Sequence, residues 1–469
     1  MPAPQATWQS EFAQWIVALR YDDLPRDVVV AALRSIVDVV GVGLAGSRTD
    51  VGRIVAERVR GRCAVEAATA IGFDFRAGCP EAALLNATAS HALDFDDTSG
   101  SLIGHSSAVV FPAALAAAEG AGAEVSGRDL VVAFVAGTEV ACRLGSALSG
   151  RLFRAGWFTT AALGTFGAAG AAAKIWGLRT DEVEAAMAIA GGYAGGIRAN
   201  NGTMAKAIQC GSAARMGLEA ADLARAGAGA ATDIFQGHDG YLSVHGLREE
   251  LKDRASWRLG NPYELVSPGM AIKRYPCCSA IAAAVDAVLA LRSEAGFDWE
   301  GVRILECETT ELAKQSLPYV YPSTWREAQF SLHYCLAWAM VFGKLDLSAF
   351  GGDPRDNASV RRAMGRVRVS YGLDDPSGRS EGAAVRMQMR DGRAFERTVS
   401  HAVGTPENPL TDEDIFGKFR ACASRADMQF DADCILDVLW HLSDHSLADV
   451  SHCLRRTRAD PKKRATRIT

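Results

Sequence analysis

The chain has 469 residues, too many for one ordinary core, and it is 49% hydrophobic but only 8% aromatic, with 46 glycines and abundant alanine. That mixture suits closely packed helices rather than a large β-sandwich. The formal net charge of -5 gives no electrostatic footprint for nucleic acid, and the short basic run over 461–467 reads as a solvated terminus. Eleven cysteines, an odd count with no Cys-x-x-Cys pair, speak against a disulfide framework and for a reducing compartment.

Amphipathic helices are expected over 8–20 and 24–45, the second becoming apolar all round at Asp38–Gly46 and therefore lying deep. Polar and charged residues scattered through the first thirty positions argue against a signal peptide, and no uninterrupted apolar stretch reads as long enough to span a bilayer. The expectation is a soluble, cytoplasmic protein. An Ala-rich helix over 81–90 runs into His91-Ala-Leu-Asp-Phe-Asp-Asp-Thr-Ser-Gly-Ser-Leu-Ile-Gly-His-Ser-Ser107, and another apolar helix follows from Ala108. In the helix over 129–143, Glu139 and Arg143 stand four apart as a structural pair. The Gly- and Ala-rich run 156–174 allows close approach of a neighbour, and its helix start near Thr159 and Thr160 suits an anion. It lacks the spacing of a phosphate loop or dinucleotide fingerprint.

A further buried helix is expected over 181–195. It leads to a Gly-bounded turn carrying Arg198, Asn200, Asn201, Thr203 and Lys206, donors suited to carboxylates, before helix resumes to 226. Composition changes near Pro262–Pro268. Beyond it, strands are expected over 301–308 and 365–371, a helix over 327–341, and a hairpin from 384–389 and 394–400 about Asp391-Gly392. Helix returns after 409 to about 455. The fold class is thus mainly α: a large all-helical domain from both chain ends, 1–266 and 403–469, with a smaller α/β domain over 267–402.

Caps and turns account for one or two of the polar residues in 91–107, not for three carboxylates, Thr98, two histidines and Ser106 beside an apolar wall; that density marks a site. A metal is not expected there, because His91 and His105 lie fourteen apart with a loop between, and His441 with His445 lacks a ligand cluster. The scattered cysteines do not suit an iron–sulfur cluster, and no Gly-x-Ser-x-Gly elbow occurs. What remains is acid–base chemistry without a cofactor: a base, a proton donor and cations to hold a carboxylate and an enolate-like intermediate.

Five blocks in order, His91-Ala-Leu-Asp-Phe-Asp-Asp-Thr98, Gly156-Trp157 with Gly164-Thr-Phe-Gly167, Gly202-Thr-Met-Ala-Lys206, Lys273-Arg-Tyr-Pro-Cys-Cys278 and Pro406-Glu-Asn-Pro-Leu-Thr411, resemble the MmgE/PrpD family. That family includes 2-methylcitrate dehydratases, cis-aconitate decarboxylases and iminodisuccinate epimerases. The resemblance implies a helical domain with an inserted α/β lid, a pocket between them, a homodimer, and neither metal nor organic cofactor. Carried over by position, it implies that Asp94, Thr98, His105, Lys206 and Lys273 are active-site residues and that Tyr319, rather than the nearby Tyr321, is the lid tyrosine. The chain departs from the decarboxylase pattern at Phe158 and Cys278, where those relatives carry histidines. The expected activity is a lyase on a small di- or tricarboxylate, resembling 2-methylcitrate dehydratase. The alternatives are an epimerase or isomerase, a decarboxylase, or a non-catalytic ligand-binding relative. Asp94, His105, Lys206, Lys273 and Tyr319 are the expected catalytic residues; Thr98, Ser106, Arg198, Thr203 and Cys278 are the expected substrate contacts.

Overall fold

A computed structural model describes residues 7–62, 65–121, 125–247, 258–294, 297–374, 381–426 and 431–455. The basic run at 461–467 lies outside them. The chain divides into two compact units: one from residues up to 198, 207–270 and 412 onward, the other from 199–206 and 271–411. The small segment 199–206, which sequence reading leaves within the helical part, therefore goes with the second unit.

The first unit is helical. Its opening helices are α1 (Trp8–Ala18), α2 (Arg26–Gly46), α3 (Asp50–Arg60), α4 (Cys79–His91) and α5 (Ser107–Ala121); α6 (Gly127–Arg154), α7 (Thr159–Ile175), α8 (Thr180–Tyr193) and α9 (Met204–Arg225) follow. Caps fix several starts: Thr7 accepts from the Ser10 amide at α1, and Ser126 with Asp129 forms a capping box at α6. The Gly- and Ala-rich stretches serve helix packing. A Cβ on Gly137 of α6 would sit 2.4 Å from the Gly167 carbonyl oxygen of α7, so the two backbones can approach only as glycines.

Two helices correct the sequence reading. By length and composition, α2 and α6 are each long and apolar enough to cross a membrane, although charged residues interrupt their apolar runs. Within the fold, 78% and 89% of their most apolar windows are buried, the condition of core helices. By contrast α8, expected to be buried, buries only Val183, Ala186, Met187, Ala188 and Ala190.

A buried ion cluster braces the first unit. Arg143 meets Glu139 at 2.7 Å and Glu264 at 3.4 Å, while Glu139 also accepts the backbone N–H groups of Gly260 and Glu264. The structural reading of the Glu139 and Arg143 spacing is therefore extended by a third charge from far along the chain. The C-terminal return contributes Asp412–Ala423, whose Lys418 forms a 2.6 Å ion pair with the fully buried Asp38 of α2.

In the second unit a four-stranded sheet runs in the order Val367–Tyr371, Val302–Thr309, Ala383–Met389, Ala394–Val399. The first pair is parallel and the other two antiparallel, with the hairpin closed at Asp391-Gly392 as expected. Alternate residues of Val302–Thr309 and Ala383–Met389 turn inward. They share a core with the helices Ala282–Arg292 and Leu332–Phe342.

Candidate active site

Helix α4 stops at His91 because the chain turns sharply: Asp94 adopts φ +48°, a left-handed conformation that Asp tolerates better than most residues. His91 and Asp94 are therefore not stacked as one helical turn. The loop folds back so that Ser99 pairs with Gly104, and it is held from outside by α7. Thr159 Oγ1 donates to the Ile103 carbonyl at 2.6 Å, and the His105 backbone N–H donates to Thr160 Oγ1 at 3.1 Å. Ile103 itself has φ +47°, strained for a β-branched residue, which is the sort of cost found beside functional groups. The two threonines expected to present an anion site thus spend their hydroxyls on positioning the loop.

This folding gathers His91, Asp94, Asp96 and His105, all buried. His91 Nδ1 lies 2.9 Å and His105 Nδ1 3.0 Å from the same oxygen, Asp96 Oδ2, while His105 Nε2 lies 3.5 Å from Asp94 Oδ1. The imidazoles meet edge to face with centroids 4.4 Å apart. Burial would raise the Asp96 carboxyl, but the charges of His105 and His91 and their hydrogen bonds outweigh it and hold the group well below the ordinary carboxylate range. Only the His105 and Asp94 side chains keep any exposure, 10% and 5%, against none for His91 and Asp96.

Spacing in sequence argued against a cation here, yet the fold brings the donor atoms of these four within 4.8 Å of one another. Their types suit a divalent ion. The two Nδ1 nitrogens, however, stand at hydrogen-bond length from one shared oxygen, whereas metal ligands turn their lone pairs on a common point about 2 Å away. The arrangement is that of a proton network.

Behind it lies Asp97. Burial and then the nearby Asp38 charge push its carboxyl up to about 7, partly offset by a 2.6 Å hydrogen bond from Ser107 Oγ. Lys418 Nζ donates to the Phe95 carbonyl at 2.7 Å and sits 3.9 Å above the Phe95 ring, so the C-terminal return fastens the same loop. Thr98 is half-buried at the loop's short strand, and Ser106 is fully buried, receiving a 3.7 Å contact from Cys142 Sγ. Phe158, at the start of α7, is buried with its ring 5.7 Å from that of His91. Arg198 also belongs to this unit, its guanidinium 3.9 Å over the Phe153 ring.

The second unit holds the other expected residues. Thr203 caps the loop before α9 by donating to the Asn200 carbonyl at 2.8 Å and accepting the Ala205 amide. Lys206, in the first turn of α9, is buried with Nζ 5.4 Å from the Phe330 ring. Tyr319 Oη donates to the Asn201 carbonyl at 2.8 Å, while Tyr321 is 79% exposed, so Tyr319 is the tyrosine that meets the Lys206 loop. Lys273 is buried beside Ile272, whose backbone N–H donates to the Gly404 carbonyl. Gly404 has φ +103°, and a Cβ there would lie 2.2 Å from the Ile272 oxygen. The turn around Pro406-Glu-Asn-Pro409 thereby fixes the segment that carries Lys273. Cys278 is half-buried against the unit's core, its amide bonded to the Gln329 carbonyl. The residues sequence reading did not select are His91 and Asp96. Their signal was the adjacency of a second carboxylate to Asp94 inside the same polar block.

A buried imidazole with carboxylates on both ring nitrogens, carried on a helical scaffold, is the equipment of an acid–base enzyme. Models of the MmgE/PrpD N-terminal and C-terminal domains match residues 10–253 and 275–442. The chain is 28% identical over 448 residues to the cis-aconitate decarboxylase-like protein oryM of Aspergillus oryzae, spanning 90% of this chain and 91% of that one. It is also 28% identical to the cis-aconitate decarboxylases of Mus musculus (92% of this chain, 90% of the relative) and Aspergillus terreus (88% and 89%). The chain belongs to the MmgE/PrpD family, and it is an enzyme of the lyase or isomerase kind.

Proposed function

We propose that this protein is a lyase that removes a proton α to a carboxylate in a small di- or tricarboxylate, without a metal or organic cofactor. The observation that carries the reading is His105, whose side chain keeps 10% exposure, with Nε2 3.5 Å from Asp94 and Nδ1 3.0 Å from the fully buried Asp96. Nε2 takes the proton, and Asp94 steadies the imidazolium that results. Lys206 and Lys273 supply the positive charge needed by the substrate carboxylates and by the enolate-like intermediate, with Tyr319, Arg198, Thr98, Thr203, Ser106 and Cys278 completing the recognition. Loss of a hydroxyl from that intermediate gives a dehydratase, and reprotonation on the opposite face gives an epimerase.

Decarboxylation, the reaction named for the curated relatives, is the less favoured outcome. Phe158 puts an apolar ring against His91, and it and Cys278 are the two positions at which the family resemblance implies histidines in decarboxylases. A cytoplasmic homodimer completes the proposal, and sedimentation velocity tests the dimer.

The deciding experiment is NMR in deuterium oxide with citrate, 2-methylcitrate, aconitate, malate and aminodicarboxylates. Deuterium entering at a carbon α to a carboxylate, and lost in His105→Ala and Lys206→Ala, is the expected result. Tight binding of a polycarboxylate without exchange or turnover would instead favour a ligand-binding protein.

A further inference from the structure

We propose that Asp96, not Asp94, is the positioning residue that sets the ring orientation and tautomer of His105, with His91 locking Asp96 in place. The proposal rests on the acid–base reading of His105 given above and deepens it. An ionised carboxylate attracts an N–H and repels a ring lone pair, so the proton of neutral His105 is assigned to the ring nitrogen in ion-pair contact with Asp96 Oδ2, 3.0 Å away. In neutral His105 the proton then sits on Nδ1 and the lone pair on Nε2, the nitrogen beside Asp94, on a side chain that keeps 10% exposure. Asp94 lies 3.5 Å away and is itself slightly exposed, a geometry for sharing a proton rather than for fixing a ring.

His91 explains why Asp96 cannot drift. Its Nδ1 reaches the same oxygen at 2.9 Å, its ring packs edge to face on His105, and the Phe158 ring lies 5.7 Å from it. With no exposed side-chain surface, neither His91 nor Asp96 has access to a substrate, so both act through His105. The charged and titratable groups around the pair are Asp94 on the same loop, Asp97 and Asp38 behind Asp96, and Lys418 against Asp38. Asp97 has its carboxyl raised to about 7, and Asp96 is the carboxylate whose one oxygen contacts both imidazoles.

The test uses full-length protein labelled with 15N in the histidine rings, in the absence of any substrate. In the wild type above the His105 titration, the Nδ1 signal is expected at the protonated position and Nε2 at the unprotonated one. The reverse tautomer in the wild type overturns the proposal, whatever the variants do. In Asp96→Asn, which keeps the shape but offers an N–H toward His105, the Nδ1-protonated tautomer is expected to be lost. The apparent pKa of His105 should then fall by a unit or more. In a folded variant an unchanged tautomer and pKa would equally sink the idea.

Where a substrate is turned over, Asp96→Asn is expected to lower kcat by two to four orders of magnitude, by analogy with wrong-tautomer variants of other imidazole bases, with KM little changed. The acidic limb of the pH profile should move by the same amount as the NMR titration. His91→Gln is expected to show the same changes in weaker form. Failure of every polycarboxylate to exchange would overturn the lyase reading but not the tautomer assignment, because the resonances report on the resting protein.

Discussion

The hydroxyl of Tyr319 donates to the backbone carbonyl of Asn201 at 2.8 Å, so the tyrosine is tied to the loop that leads into Lys206. Its ring also covers Gly202, where φ is +79° and an added Cβ would lie 2.6 Å from the ring. Tyr319→Phe is expected to cost about one hydrogen bond, roughly 1 kcal/mol, and hence about five- to tenfold in kcat/KM. Gly202→Ala, which forces the ring aside and strains the backbone, is expected to cost more. Hydrogen exchange at the amides of 199–206 should rise in both. If exchange is unchanged while activity falls in Tyr319→Phe, the hydroxyl acts on substrate and not on the loop.

The His105 loop depends on a close approach to α7. A Cβ at Gly104 would sit 2.8 Å from Thr160 Oγ1 and 3.1 Å from its backbone nitrogen. Gly104→Ala is expected to destabilise the protein by about 1–3 kcal/mol through this overpacking. Thr160→Val removes the acceptor for the His105 amide at nearly constant volume. Both variants should lose proton-exchange activity at a temperature where circular dichroism shows them folded. Full activity in folded Thr160→Val would mean that the loop holds His105 without α7.

Asp97 gives a pH dependence with a definite sign. Its carboxyl is raised to about 7 in the folded protein from 3.8. Between these values the native state holds a proton that the unfolded chain has lost, so stability falls as pH rises from about 4 to about 7, by at most about 1.4 kcal/mol per pH unit from this group. Asp97→Asn should flatten that part of the profile, raising the melting temperature at pH 8 relative to the wild type more than at pH 5. An equal shift at both values would show that Asp97 does not titrate in this range.

The cluster of Arg143 with Glu139 and Glu264 should behave as a strut rather than as chemistry. Arg143→Ala leaves two buried carboxylates without their cation, a change expected to cost about 3–5 kcal/mol. The urea midpoint should fall accordingly, while the turnover of the remaining folded protein stays within twofold. A large fall in kcat with no change in midpoint would assign Arg143 to the reaction.

Much of this was legible in the sequence, for identifiable reasons. Periodicity marked the helices, alternation and Asp391-Gly392 marked the hairpin, and the density of polar residues in 91–107 marked the stretch that the fold gathers into a buried His and Asp cluster. Periodicity did not reveal that α2 and α6 are of membrane-crossing length, because charged residues, Arg34 and Asp38 in one and Glu139 and Arg143 in the other, interrupt the apolar runs in sequence without interrupting the helix. Nor could spacing tell which carboxylate would face His105. Asp94 and Asp96 are two residues apart, and the left-handed turn at Asp94 decides that the second, not the first, ends between the imidazoles. Arg198 and Lys206 looked like one donor cluster along the chain, but the first stacks on Phe153 in the helical unit while the second belongs with 199–206 in the other.

Lys418 neutralises Asp38 and grips the carbonyl of Phe95, and it lies 323 residues beyond Phe95 in the chain. During synthesis the residues that will form the acid–base loop leave the ribosome more than three hundred codons before that lysine does. Until then Asp38 has no counter-ion to make its burial tolerable, and the loop has no latch. Competence therefore waits on residue 418: a nascent or truncated chain that stops short of it carries His91, Asp94, Asp96 and His105 and still lacks this means of holding their loop in register.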